Sequence, residues 1–142
     1  MSPEAAEPPV VLFVDDEPFI LSALRRLFRP QGYRMLLAGS GEAALALLET
    51  EPVDLVVSDM RMPGMDGAAL LAQVRERWPL VGRILLTGHA DLGSTEAAIH
   101  HGQIHRYVTK PWDDRELLRW VHEGLAQRRA ALQPVPPDGA GG

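Results

Sequence analysis

The sequence predicts an α/β protein, a single domain built on an open parallel sheet with helices on both faces. Three observations carry that prediction. Four short runs are apolar on consecutive rather than alternate positions, which suits strands covered on both sides. Between them lie stretches with apolar residues at helical spacing. The two kinds alternate, strand then helix, five times along the chain, and that order gives a parallel sheet with right-handed crossovers. The chain of 142 residues matches the usual domain size of about 100 to 150.

Residues 10–14 (VVLFV) read as the first strand. Pro18 follows at a place where a first-turn proline is tolerated, and Ile20, Leu21, Leu24, Leu27 and Phe28 make one apolar helix face. Residues 33–38 form a weaker second strand. Ser40 can cap a helix carrying Ala44, Leu45, Leu47 and Leu48, and residues 53–58 follow as the third strand. Asp66 can cap the third helix, with Leu70, Leu71 and Val74 inside and Trp78 and Pro79 near its end. Residues 83–87 are the fourth strand. The fourth helix, residues 91–101, is poorly signalled because Gly93 and Ser94 weaken it and its apolar face is thin. It is a candidate for a mobile element. Residues 104–109 are the fifth strand, and Asp113 with Glu116 makes a capping-box pattern before Leu117, Leu118, Val121 and Leu125. The expected organisation is a disordered start at residues 1–8, a domain at 9–129, and a Pro- and Gly-rich tail or linker at 130–142.

Hydrophobic residues make up 46% and charged residues 23%, the balance of an ordinary soluble domain. A net charge of -5 argues against a surface that coats nucleic acid, so no direct nucleic-acid partner is expected. The absence of cysteine excludes disulfides and thiolate metal sites and fits a reducing compartment. The opening MSPEAAEPPV lacks the basic and apolar regions of a signal peptide. No apolar run reaches the about 18 residues that a membrane span needs. The expected location is the cytoplasm, with no membrane partner.

In open parallel sheets, ligands sit beyond the carboxyl ends of the strands. The first strand ends at Asp15, Asp16 and Glu17, the third at Asp59 and the fourth at Thr87, while the fifth runs into Lys110 and Pro111. Carboxylates gathered at one edge repel one another and stay ionised near neutrality only if a cation joins them. An oxygen-only donor set suits a hard ion such as magnesium. Asp59 stands alone at the end of the central strand, and a carboxylate there can attack phosphorus to give an aspartyl phosphate. Such transfer needs mainly positioning and neutralisation of the phosphoryl oxygens. Magnesium, the Lys110 ammonium, the Thr87 hydroxyl and the amides after Asp59 could supply both. No glycine-rich phosphate cradle is present, so no nucleotide site is indicated.

The segments VLFVDDEP, SDMRMPGMDG, LLTGHA and RYVTKPW together resemble the receiver domain of two-component response regulators, over about residues 10–128. The resemblance implies a CheY-like, flavodoxin-like (βα)5 sandwich of three layers with sheet order 2-1-3-4-5. It implies that Asp59 is the phosphoacceptor, that Asp15 and Asp16 bind Mg2+ beside it with Asp16 the more direct ligand, and that the Arg61 backbone carbonyl is a further ligand. Thr87 would bond a phosphate oxygen in the active state, Tyr107 would swing inward behind it, and Lys110 would pair with the phosphate before a cis Lys110–Pro111 bond. Met62, Pro63, Gly64, Asp66 and Gly67 match the loop after the acceptor. Arg61 and His89 occupy places that influence phosphate lifetime in the family.

The implied partners are a sensor histidine kinase or a histidine phosphotransfer protein upstream, and an effector protein or domain downstream. The downstream contact would use the face made by the fourth helix, the fifth strand and the last helix, which could also support a homodimer. Such a protein catalyses only its own phosphorylation and dephosphorylation. The alternative is a phosphorelay intermediate, as in hybrid kinases, that passes its phosphate to a histidine. TGHAD and RYVTKPWDD also resemble receivers that precede HD-GYP phosphodiesterases or occur in hybrid kinases. A haloacid-dehalogenase-like phosphatase would need a second acid two residues past the nucleophile, where Arg61 stands.

Each site residue also has a plainer reading. Asp15 and Asp16 could be a turn and helix cap, Thr87 a strand end, and Tyr107 a packed aromatic. His100, His101, His105 and His122 read as surface residues, and Trp112 and Trp120 as helix packing.

Overall fold

The computed structural model describes residues 7–101 and 104–132, leaving aside the side chains of His89, Leu92, Ser94 and Ala98. The parallel strands are β1 (Val10–Val14), β2 (Arg34–Ala38), β3 (Leu55–Asp59), β4 (Gly82–Thr87) and β5 (Arg106–Thr109). Their order in the sheet is β2-β1-β3-β4-β5, as expected. The helices are α1 (Pro18–Phe28), α2 (Gly41–Thr50), α3 (Gly67–Arg77), α4 (Leu92–His100) and α5 (Asp114–Leu132).

Side chains alternate across each strand, so a strand buried on both faces feeds two separate cores. Leu12, Val14, Val56 and Leu85 pack with Leu48, Leu70, Leu71 and Val74 from α2 and α3. Val11, Phe13, Val57, Ile84, Leu86 and Val108 point the other way and pack with Leu24 and Phe28 of α1 and with Leu117, Val121 and Leu125 of α5. Helix, sheet and helix therefore make three layers. The consecutive apolar runs are the sequence trace of this arrangement.

The caps form as read. The Ala43 amide donates to Ser40 Oγ at 3.1 Å, the Ala69 amide to Asp66 Oδ1 at 2.8 Å, and the Glu116 amide to Asp113 Oδ1 at 3.0 Å. The weakly signalled fourth helix forms too, after a 3-10 turn at His89–Asp91. Its N-cap residue, Asp91, makes no side-chain cap bond.

Strand starts differ from expectation. β3 begins at Leu55 and β5 at Arg106, yet Val53 and Ile104, which precede them, are buried. Apolar character reports burial, and burial extends past the ladder into the entering loops. The last helix runs to Leu132, past the expected end at Arg129, because Ala130, Ala131 and Leu132 are strong helix formers. The rest of the expected tail, residues 133–142, and residues 1–6 of the expected disordered start lie outside the described part. No helix among the described residues is long and apolar enough to cross a membrane.

Candidate functional site

The register brings the strand ends level. Val14 pairs with Ser58, Asp59 with Leu86, and Thr87 with Thr109. Just past the ladder, the Asp15 amide donates to the Ala38 carbonyl at 3.1 Å and the Lys110 amide to the Thr87 carbonyl at 2.8 Å. The sheet itself thus sets Asp15, Asp59, Thr87 and Lys110 along one edge. The Lys110–Pro111 peptide bond is cis.

Asp15, Asp16 and Asp59 each offer a carboxylate oxygen within 4.8 Å of the others. Asp15 and Asp59 are buried and Asp16 is exposed. Lys110 Nζ lies 2.5 Å from Asp59 Oδ1 and 3.8 Å from Asp15 Oδ2. The Glu17 amide donates to Asp15 Oδ1 at 2.8 Å. Asp15 Oδ2, in contrast, is buried with no hydrogen-bond partner. Burial is the main reason that the Asp15 carboxyl is held up at about 6, with the nearby Asp59 and Asp16 charges adding to it. The Glu17 amide and Lys110 pull the other way.

A buried carboxylate oxygen without a donor costs free energy unless a cation meets it. Three carboxylates, one of them open to water, fit a hard divalent ion that keeps part of its hydration shell. The donor set therefore suits the metal that the sequence led us to expect.

The loop after Asp59 is shaped by two glycines. Gly64 has φ of 76°, a left-handed conformation that side chains disfavour. Gly67 opens α3 so near Asp59 that a Cβ would collide with the Asp59 carbonyl oxygen, and its amide donates to the Met60 carbonyl at 2.8 Å. The MPGMDG segment thus folds back on the end of β3.

The model of the response regulator receiver domain matches residues 11–122. The chain belongs to this family. Among curated relatives, the hydrogenase transcriptional regulatory protein HoxA of Cupriavidus necator is 38% identical over 115 residues, covering 81% of this chain and 24% of the relative. The DNA-binding transcriptional regulator NtrC of Salmonella typhimurium is 34% identical over 125 residues, covering 88% of this chain and 26% of the relative. The chain thus spans about a quarter of the length of these relatives. A solved signal receiver domain of an HD domain-containing protein from Pseudomonas fluorescens Pf-5 superposes with a TM-score of 0.83 at 41% identity, covering 87% of this chain and 99% of that one.

In this receiver the expected site residues divide into two groups. Asp15, Asp16, Asp59 and Lys110 come together directly. Thr87 stands at the same edge, fully buried, but its hydroxyl is occupied elsewhere: it donates to the Gly88 carbonyl and accepts from Thr95 Oγ1, both at 3.2 Å. Tyr107 is half-buried and packs against the α2–α3 side core. Arg61 extends its guanidinium to Asp91, with Nε and Nη2 contacts of 2.8 to 3.1 Å to both carboxylate oxygens. That pairing holds the Asp91 carboxyl below its usual range. The His89 side chain, the other expected lifetime residue, lies outside the described part. His100, His101, His105 and His122 are exposed, and Trp112 and Trp120 pack against the α1–α5 side core.

Sequence reading missed Asp91 and Thr95 as neighbours of the site. Asp91 was legible only as the start of a helix. Thr95 gave no signal, because a threonine on a weakly amphipathic helix is ordinary until its partner is known.

Proposed function

We propose that this receiver takes a phosphoryl group from the phosphohistidine of a sensor kinase or phosphotransfer protein onto Asp59, and signals the change to an effector. An Asp59 carboxylate oxygen attacks phosphorus, the P–N bond to the donor histidine breaks, and the released imidazole takes up a proton. The observation that carries this reading is the Lys110 ammonium 2.5 Å from Asp59 Oδ1, beside the acidic pair within 4.8 Å. Asp59 is the buried acid that the Lys110 cation meets most closely, so it is poised to be a nucleophile whose product charge is neutralised.

Asp15, Asp16, Asp59 and the Arg61 carbonyl would hold Mg2+, which supplies positive charge to the phosphoryl oxygens when bound. Lys110 supplies a second cation from the chain itself. Thr87 then turns its hydroxyl to the phosphate and Tyr107 follows inward, which remodels the face of α4, β5 and α5. Arg61 and His89 control the access of water to the phosphorus. Beyond its own phosphorylation and dephosphorylation the receiver performs no catalysis, and it works in the cytoplasm. The names of HoxA and NtrC describe transcriptional regulators, which supports regulation through an effector domain or partner over a relay intermediate.

The test is binding of beryllofluoride, a phosphate mimic, followed by calorimetry. It should bind with Mg2+ present, fail without it, and fail in Asp59→Ala. Undiminished binding by Asp59→Ala would remove the phosphoacceptor from this account.

A further inference from the structure

The hydroxyls of Thr87 and Thr95 meet inside the protein, and Thr95 has no part in the account above. Thr87 ends β4 and Thr95 lies in α4. Both are fully buried. Their hydrogen bonds have a forced direction. The Gly88 carbonyl can only accept, so the Thr87 proton is committed to it at 3.2 Å. Thr95 must then be the donor in its 3.2 Å bond to Thr87 Oγ1. To donate to a phosphate oxygen, Thr87 has to release the Gly88 carbonyl, and a swing of its side chain toward Asp59 would also part it from Thr95.

We propose that Thr95 is a positioning residue that holds Thr87 in its inactive arrangement and so sets how readily the receiver switches; this rests on the reading of Asp59 and Thr87 given above. The bond is suited to that task. A neutral hydrogen bond shifts a two-state equilibrium severalfold without locking it. The same contact carries the state of Thr87 into α4. A second side-chain tie, from Arg61 to Asp91, meets the start of that helix from the acceptor loop.

Removing the Thr95 hydroxyl takes a donor from the buried Thr87 oxygen in the inactive arrangement only. Thr95→Val and Thr95→Ala should therefore bind beryllofluoride, with Mg2+ present, about fivefold more tightly than the parent chain, the worth of one neutral hydrogen bond. Thr95→Ser should bind like the parent. Affinity for Mg2+ alone should be the same in all four proteins, since Thr95 touches none of the acids. Packing loss by itself would not reproduce tighter binding that serine reverses. Parent-like or weaker binding by both Thr95→Val and Thr95→Ala would overturn the role of Thr95 while leaving the receiver reading intact. Mimic binding that persists in Asp59→Ala would overturn both.

Discussion

The two ends of the sheet hold charged groups in opposite ways. At the amino end, Asp54 accepts the Val10 amide at 2.8 Å and the Arg128 Nε at 3.0 Å, which ties β1 and α5 to the start of β3. Arg83 is buried there too, and donates to the Val81 carbonyl at 2.9 Å and the Pro79 carbonyl at 3.2 Å. At the carboxyl end, three acids cluster, one lysine lies beside two of them, and Asp15 Oδ2 is buried without a hydrogen bond. One end spends its polar groups on holding the fold. The other keeps a deficit of positive charge that a bound cation would offset. The sheet provides the same scaffold to both, so the difference lies in which partners the side chains lack.

Substitutions at the two ends should therefore separate binding from stability. The largest expected effect is at Lys110. Lys110→Ala leaves Asp59 without its cation and should weaken beryllofluoride binding about a hundredfold, the scale of losing one charged contact to a transferred group. Mg2+ binding should persist or strengthen, because a competing cation is gone. Parent-like mimic affinity in this variant would break the contrast.

At the other end, Asp54→Ala should lower stability by about 1 to 3 kcal/mol, since it strips partners from a backbone amide and a guanidinium. Urea unfolding measures that loss, and the mimic affinity of the folded protein should stay unchanged. A change in affinity would mean that the two ends are coupled.

Asp15→Asn should move stability the other way while weakening metal affinity. With its carboxyl held up at about 6 against an ordinary 3.8, Asp15 binds its proton more tightly in the folded chain than in the unfolded one. Its contribution is therefore fully present below 3.8 and is lost as pH rises through about 6. In chelator at neutral pH, Asp15→Asn should be more stable than the parent by about 1 to 3 kcal/mol. The gap should close as pH falls toward 4. Unfolding of both proteins across that range measures it, and a gap that widens on acidification would contradict the assignment of burial as the cause.

The smallest effect is expected for Arg61→Ala. The Arg61–Asp91 pair is open to water on the arginine side, where the side chain is 74% exposed against 13% for the aspartate. Exposed pairs are worth about 0 to 1 kcal/mol, so stability should change by no more than that. The lifetime of the aspartyl phosphate, followed by loss of label, is the readout that would show whether this pair also matters to the site.

Much of the site was legible because it follows from the ends of strands. A strand recognisable by its apolar run delivers whatever residue follows it to the edge of the sheet, so the sequence alone groups Asp15, Asp59, Thr87 and Lys110. Caps were legible for a similar reason: Ser40, Asp66 and Asp113 bond amides three residues ahead. The pairs Arg61–Asp91 and Arg128–Asp54 lie 30 and 74 residues apart, and no periodicity connects them. Thr95 is eight residues from Thr87, yet the contact depends on how α4 settles against the end of β4.

By itself the sequence determined the alternation of strands and helices, the helix caps and the acids at the strand ends, because each rests on spacing within a few residues. The order of the strands was foreseen through family resemblance rather than from local pattern. Only the tertiary structure decided which Asp15 oxygen is left bare, that Asp91 serves Arg61 instead of capping its own helix, and that Thr95 occupies the hydroxyl of Thr87. Those outcomes are competitions among polar groups for a limited set of partners. They are settled by packing, which brings distant segments within hydrogen-bonding distance and excludes the water that would otherwise satisfy them all.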